Sequence, residues 1–394
     1  MRIRLILTLV LAAAALAQTL PQGVLKKATM GGITEYDFPN GLRVLLFPDS
    51  SSPKVTVNMT YLVGSRHEGY GETGMAHLLE HMNFIRSTHD RNIKKELTDH
   101  GAQWNGTTDV DRTNYFETVT ASEENLRWAL GLEAERMVNM RMEKALLDTE
   151  MTVVRNEFEA GENRPGSILE ERVVSTAYLW HNYGKSTIGS RADIEKVPVD
   201  RLAEFYRKFY QPDNAVLVVA GQFDEAKTLQ YVAESCGAIP RPDRKLDDTY
   251  TVEPVQDGER TVELRRVGDN QIVTMVWHAP ALSHPDSAAL EVMSGVLSGG
   301  GGGRGGASNG RLYKALVENK KAVNVRMGYE ELHDPGFVLA SATLSKEQSL
   351  DEARKAIIDT VAGMVSEPPT KEEVDRAKAR IVQGMEQQLS LIHI

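Results

Sequence analysis

Two histidines and a glutamate stand close together in the segment GMAHLLEHMNF, residues 74–84. The segment is otherwise largely apolar and contains no proline, so we expect a helix with Thr73 as its N-cap. In an α-helix, positions i, i+3 and i+4 share one face, so His77, Glu80 and His81 should point the same way. Two neutral imidazoles one turn apart can bind one Zn²⁺, and a carboxylate beside them can take a proton from water.

The order His-x-x-Glu-His is a metalloprotease signature, the inverse of the commoner His-Glu-x-x-His. A buried histidine pair with backbone partners would give the same pattern, so the motif alone does not establish a metal site. A catalytic zinc usually takes three protein ligands and leaves its fourth position for water. A helix predicted over about residues 148 to 160 offers Glu150 and Glu157, two turns apart on one face.

With these residues the chain resembles the pitrilysin-type zinc metallopeptidases, the M16 or inverzincin family. The resemblance implies that a glutamate about 76 residues after the second histidine completes the zinc site, and this spacing leads from His81 to Glu157. It also implies that Glu150 supports the site from outside the ligand set. The implied cofactor is one Zn²⁺ per chain, bound by His77, His81 and Glu157, with Glu80 as the catalytic base.

Two further stretches resemble the same family and imply how substrate is bound. In GAQWNGTTDVDRTNYFETV, Asn105 matches an asparagine of the edge strand that pairs with the substrate backbone. In GRLYKALVENK, Arg311 and Tyr313 match an arginine–tyrosine pair that reaches substrate from the second domain. Substrate added as a strand would explain loose sequence preference, because main-chain hydrogen bonds supply the affinity.

The elements that must position these residues predict an α+β protein. ITEYDF and LRVLLF flank Pro-Asn-Gly, which favours a β-hairpin. VTVNMTYLV alternates apolar and polar residues like a half-buried strand, and the apolar run NAVLVVAGQF is typical of a central strand. The resemblance implies two similar M16-type (LuxS/MPP-like) α/β sandwich domains, the second apparently truncated.

A strand, a polar turn and a helix occur twice along the chain. Residues 271–300, laid beside residues 55–84 without a gap, repeat that order. In this register His77, Glu80 and His81 fall opposite, in turn, Met293, Val296 and Leu297. The repeat predicts an old duplication whose second copy keeps the shape and lacks the chemistry.

The chain is predicted to divide into five parts. They are a signal peptide (1–17), a catalytic zinc-binding domain (18–238), a linker (239–248), an incomplete and inactive M16-like domain (249–388) and an artefact (389–394). A short basic start, an apolar run and Ala15-Leu16-Ala17 indicate the signal peptide. The final LSLIHI is what a transposon sequencing adaptor would encode.

Composition excludes several other classes of protein. A formal net charge of −10 argues against nucleic-acid binding, because phosphate contacts need a basic surface. The one cysteine, Cys236, excludes an internal disulfide framework and a zinc site built from cysteines. After signal cleavage no segment is long and apolar enough for a stable membrane anchor.

These observations predict an exported zinc metalloendopeptidase, periplasmic or secreted from a bacterium, that hydrolyses peptides or small unfolded proteins. The alternative is a non-catalytic M16-like scaffold or partner subunit, since the family includes members that have lost the motif. The resemblance also implies possible homologous partner domains or a partner subunit. This chain keeps His77, Glu80, His81 and Glu157, which favours the enzyme.

Overall fold

The computed structural model describes residues 20–299 and 309–391, with side chains to residue 386. The predicted signal peptide at residues 1–17 lies outside the described residues, as do residues 392–394 of the predicted artefact. Among the described residues, no helix has both the length and the apolar character needed to cross a membrane.

The first half of the chain builds a seven-stranded sheet. Its strands are β1 (Leu25–Met30), β2 (Ile33–Asp37), β3 (Arg43–Pro48), β4 (Lys54–Tyr61), β5 (Gln103–Thr108), β6 (Thr113–Thr120) and β7 (Ala215–Gly221). Their spatial order is β1-β2-β3-β7-β4-β6-β5, so β7 is central, as predicted, and β5 forms an edge. The predicted hairpin is confirmed, since β2 and β3 pair antiparallel and Gly41 between them has a φ of 97°.

Eight helices of the described first half accompany this sheet. They are α1 (Met75–Met82), α2 (Ile93–Asp99), α3 (Glu123–Val138), α4 (Lys144–Glu162), α5 (Pro165–Ala177), α6 (Arg191–Ile194), α7 (Val199–Phe209) and α8 (Glu225–Glu234). The helix α1 contacts α4 and the edge strand β5. The predicted histidine motif therefore lies on a helix between another helix and the sheet edge.

Burial explains the orientation of α1. Its apolar residues Leu78, Leu79 and Met82 are fully buried and belong to the same core cluster as Val57 and Met59 of β4. Their spacing of one, three and four residues fixes one face of the helix against the sheet. The histidines at positions 77 and 81 are therefore turned away from the centre of this core.

The second half builds a three-stranded antiparallel sheet in the order β8-β10-β9. Its strands are β8 (Asn270–His278), β9 (Asn324–Glu330) and β10 (Phe337–Ser345). Its helices are α9 (Ser287–Ser298), α10 (Arg311–Tyr313), which continues into a π-helical turn (Lys314–Glu318), α11 (Leu350–Ser366) and α12 (Lys371–Leu391). The two sheets with their helices confirm the predicted α+β fold in two domains. Residues 239–269 between the halves contain neither helix nor strand.

A buried polar network joins the two halves. Arg66 forms salt bridges with Asp111 of the β5–β6 turn, at 2.8 Å, and with Asp334 of the β9–β10 loop, at 3.2 Å. His181 lies 3.1 Å from the same Asp334 carboxylate, and Tyr183 donates a hydrogen bond to Asp111 at 2.8 Å. The second half is thereby tied to the turn that ends the edge strand β5.

Candidate metal centre

Three predicted ligands converge between α1 and α4. The Nε2 atoms of His77 and His81 each lie 3.5 Å from Oε2 of Glu157. One ligand atom from each of the three residues lies within 4.8 Å of the other two. The structure therefore brings together two residues of one helix and a third that follows about 76 positions later in the chain.

The geometry of α4 explains why Glu157 reaches this point. Leu147, Glu150 and Val154 are the buried residues of α4, and their spacing of three and four defines the face turned toward α1. Glu157 continues that face by one more turn. Its side chain is 46% exposed, whereas those of His77 and His81 are 17% and 15% exposed, so the cluster opens to solvent on the glutamate side.

The donor set and its spacing fit zinc. Tetrahedral Zn²⁺ holds nitrogen and oxygen ligands at about 2.0–2.2 Å, which separates neighbouring ligand atoms by roughly 3.3–3.5 Å. The two nitrogen-to-oxygen distances of 3.5 Å match this separation. Two imidazoles and one carboxylate also form a ligand set of catalytic zinc sites, which leave a fourth position open.

Glu150 holds the second histidine in place. Its Oε2 lies 3.4 Å from Nδ1 of His81, so the opposite ring nitrogen, Nε2, faces Glu157. Burial lowers the pKa of His81, but the hydrogen bond with Glu150 and the nearby carboxylates outweigh it and raise that pKa overall. A carboxylate behind a metal-binding histidine fixes its ring orientation and raises its basicity.

His77 lies in a different electrostatic setting. Burial, assisted by the neighbouring His81, lowers the pKa of His77 to about 4. Its Nδ1 atom is buried and has no hydrogen-bond partner among the described residues. The imidazole is therefore neutral at pH 7, which is the form that binds a metal.

Glu80 is buried beside the cluster and is held by the edge strand. Its Oε2 accepts a hydrogen bond from Oγ1 of Thr108 at 2.7 Å. Burial raises the pKa of Glu80, and the Thr108 hydrogen bond partly opposes this because it favours the charged form. Gly106, between Thr108 and Trp104 on β5, leaves room for this carboxylate, since a Cβ there would lie 2.8 Å from Oε1.

The start of α1 differs from the predicted one. The N-cap is Gly74, with a left-handed φ of 90°, and Thr73 instead donates a hydrogen bond to Asp193 at 2.6 Å. The buried carboxylate of Glu68 accepts the N–H groups of Gly74 and Ala76, at 2.9 and 2.8 Å. The N-cap prediction was wrong because an acid from the preceding turn binds the free helix N–H groups.

The other end of α1 is held by a buried arginine. Arg136 donates a hydrogen bond to the carbonyl of Asn83, the C-cap of α1, at 3.3 Å. Arg136 also pairs with Glu133 and with Glu117, and all three side chains are fully buried. Burial raises the pKa of both carboxyls, which the charge of Arg136 opposes. A cation at this end and an acid at the other suit the helix dipole.

The predicted substrate-binding residues lie in two places. Asn105 is exposed on the edge strand β5, next to Gly106. Arg311 lies in the second half, where its guanidinium pairs with Glu373 at 2.8 Å and donates to the carbonyl of Glu367 at 2.6 Å. Tyr313 packs against the second core. The guanidinium of Arg311 is thus bound within the second half in this structure.

Sequence reasoning missed four residues that hold the site: Glu68, Gly106, Thr108 and Arg136. A signal for two of them was available, because Trp104, Gly106 and Thr108 alternate along a strand and must share one face. That face meets α1, where Trp104 packs on Phe84 with ring centres 4.9 Å apart. No local pattern indicates that Glu68 turns back onto the helix that follows it.

Comparisons with known proteins match most of the chain. The family model described as Insulinase (Peptidase family M16) matches residues 43–191, and the one described as Peptidase M16 inactive domain matches residues 196–381. A zinc protease, PqqE, of Helicobacter pylori is 30% identical over 349 residues, which make up 86% of this chain and 76% of that protein.

Solved structures show the same architecture. A protease from Helicobacter pylori has a TM-score of 0.83 and 27% identity, covering 92% of this chain and 86% of the other. The periplasmic protease PqqL from Escherichia coli has a TM-score of 0.71 and 18% identity, covering 92% of this chain and 41% of the other. The second of these is a likeness of fold alone.

Proposed function

Since the chain belongs to peptidase family M16, a family of zinc metallopeptidases, we propose that it is an exported zinc-dependent metalloendopeptidase. Its substrates would be peptides or small unfolded proteins. The observation that carries the proposal is the convergence of His77, His81 and Glu157 beside the buried carboxylate of Glu80. The four residues supply both a metal site and a base, which a scaffold protein would not need.

Each residue has a defined chemical role in this proposal. His77, His81 and Glu157 would hold one Zn²⁺, and Glu150 would orient the ring of His81. Zinc, when bound, supplies a Lewis acid that activates water and polarises a peptide carbonyl. Glu80 takes a proton from the attacking water and passes it to the leaving amine, as a general base and then a general acid.

The edge strand supports a proposal for substrate binding. β5 is the last strand of its sheet, and an extended peptide can add to such an edge through main-chain hydrogen bonds. Asn105 is exposed on this strand and is proposed to contact the peptide. Arg311 and Tyr313 are proposed to contact it from the second half after the guanidinium of Arg311 leaves Glu373.

Export to the periplasm or the cell exterior is part of the same proposal. It rests on the basic and apolar character of residues 1–17 and on the small residues that follow the apolar run. A periplasmic location is stated for PqqL, a protein of the same fold.

Zinc content per chain tests the proposed function. The purified protein should contain about one zinc per chain and hydrolyse an unstructured peptide, and a chelator should remove both properties. Glu157→Gln should lose most of the zinc, because a neutral amide replaces the carboxylate ligand. Glu159→Gln, an exposed acid on the same helix, is the matched control and should keep zinc and activity. A zinc-free wild-type protein without peptidase activity would support the scaffold alternative.

A further inference from the structure

The edge strand β5 presents one face to the metal-binding helix α1. Trp104, Gly106 and Thr108 alternate along β5 and all meet α1 or the residues just after it. Asn105 and Thr107, between them, are exposed. One strand therefore has a face that contacts the proposed base and an edge that is free to pair with a peptide.

The contacts of Glu80 with this strand leave its carboxylate little freedom. Oγ1 of Thr108 donates to Oε2 at 2.7 Å, which fixes one oxygen. On the other side, a Cβ at Gly106 would lie 2.8 Å from Oε1 and 3.0 Å from Cγ, so the strand backbone passes directly against the side chain. The carboxylate is thus confined between a hydroxyl and a glycine of the same strand.

We propose that Thr108 is a positioning residue that holds Glu80 in the geometry required for proton transfer, with Gly106 providing the space. This inference rests on the proposed function. A general base must lie within hydrogen-bond reach of the proton that it removes, and small misplacements lower the rate strongly. The Thr108 hydroxyl fixes Oε2 and so limits the orientations open to the carboxylate.

In this arrangement the strand β5 contacts both the bound substrate and the proposed base. A peptide that pairs with β5 takes its register from the backbone of that strand. Glu80, carried by α1, is held by the Thr108 hydroxyl and lies against Gly106 of the same strand. Contacts with β5 thus act on both the scissile bond and the base, so peptides of different sequence are presented to the base in a similar way.

Two substitutions of Thr108 test the role of the hydroxyl. Thr108→Val has the same shape without the donor and should lower kcat about tenfold, with KM and zinc content nearly unchanged, because a hydrogen bond to a charged group is lost. Thr108→Ser restores the donor and should keep kcat within about twofold of wild type. Thr120→Val removes an exposed hydroxyl from the far end of the neighbouring strand β6 and should leave kcat unchanged.

A glycine pair tests the space beside Glu80. Gly106→Ala would place a Cβ 2.8 Å from both Oε1 of Glu80 and the ring of Phe84, so it would force the carboxylate and the ring aside and should lower kcat by about tenfold or more. Gly328→Ala is the matched control, since Gly328 lies on the edge strand β9 with nothing within 4 Å of an added Cβ. Equal activity of Gly106→Ala and wild type would overturn the proposed confinement.

A measurement without catalysis separates this inference from the proposed function. Thr108→Val, Glu80→Gln and the double variant form a cycle in the free energy of unfolding, and the contact predicts that the two effects are not additive. Three results would each overturn the positioning role while the proposed function stands. They are additive effects in the cycle, a wild-type kcat in Thr108→Val, and a loss of kcat in Thr108→Ser equal to that in Thr108→Val. If the cycle shows coupling between Thr108 and Glu80 but the wild-type protein binds no zinc and cleaves no peptide, the proposed function is overturned and this role with it.

Discussion

The two strand–turn–helix units of the chain share a layout and differ in what their helices carry. In the first unit β4 leads to α1, and in the second β8 leads to α9. In the gapless register that predicted the repeat, the two helices end at equivalent residues, Met82 and Ser298. The neighbouring strands also correspond, since the order β8-β10-β9 repeats the order β4-β6-β5.

The residues opposite the zinc motif are apolar in the second unit. Met293, Val296 and Leu297 stand where the first unit has two histidines and a glutamate, and Leu297 is 0% exposed. α9 packs on β9 and α12, and α1 packs on β5 and α4. Leu297 belongs to the second core and Met293 packs against it. The layout is therefore compatible with both a polar site and an ordinary core, and the chemistry depends on residues that other elements supply.

The turns before the two helices differ as well. Ser65, Arg66 and Glu68 in the first turn are buried, and Glu68 binds the N–H groups at the start of α1. Residues 282–286 in the second turn are exposed, and the N-cap Asp286 makes no side-chain hydrogen bond to α9. The helix that carries the site is held at its start, and its counterpart is not held by a side chain.

The largest expected effect comes from Glu80, which has the apolar Val296 as its counterpart in the second helix. Glu80→Gln should lower kcat by about 10²–10⁴-fold, because the amide cannot accept the proton from water. Zinc content should stay near that of wild type, since Glu80 is not a proposed ligand. Steady-state peptide hydrolysis and metal analysis measure the two quantities. Glu291→Gln on α9 is the control, and unchanged activity in Glu80→Gln would remove the base from the proposal.

Placing the histidine pair on the second helix tests whether the motif alone makes a site. Met293→His combined with Leu297→His should lower the free energy of unfolding by about 3 kcal/mol, because an imidazole replaces the fully buried side chain of Leu297. Zinc should remain near one per chain, because a catalytic zinc site usually needs three protein ligands and the pair supplies two. Urea unfolding and metal analysis measure both, and a second bound zinc would show that the histidine pair suffices.

Removing the contact that Glu150 of α4 makes with His81 of α1 has an intermediate expected effect. Glu150→Gln should weaken zinc binding about 10–100-fold, because the ring of His81 loses the carboxylate that orients it. Competition with a chromophoric chelator measures this affinity. Asp148→Asn changes an exposed acid on the same helix and should leave it unaltered. Equal affinities in the two variants would assign Glu150 to the packing of α4 alone.

The sequence predicted the parts of the site that follow from local geometry. Helical spacing predicted a shared face for His77 and His81, and resemblance added Glu157 from a separate helix. Contacts that depend on how distant segments meet were not predicted. Thr73 looked like a cap, yet its hydroxyl binds Asp193, because the turn before α1 folds so that Glu68 reaches the helix start. The α+β fold was predicted correctly, since alternation and turn residues define strands without knowledge of their partners, and the family resemblance supplied its M16 type.

The smallest expected effect concerns the buried turn that the second unit lacks. The two oxygens of Glu68 accept one backbone N–H group each, so Glu68→Gln would place an amide NH₂ against a donor. The free energy of unfolding should fall by about 1–2 kcal/mol. Asp286→Asn, in the turn before α9, should change it by less than about 0.5 kcal/mol, because Asp286 is exposed and its side chain makes no capping hydrogen bond to α9. Chemical denaturation of both variants gives the comparison. Equal and small effects would mean that α1 is held by its apolar face alone, and the contrast between the two turns would then have no energetic basis.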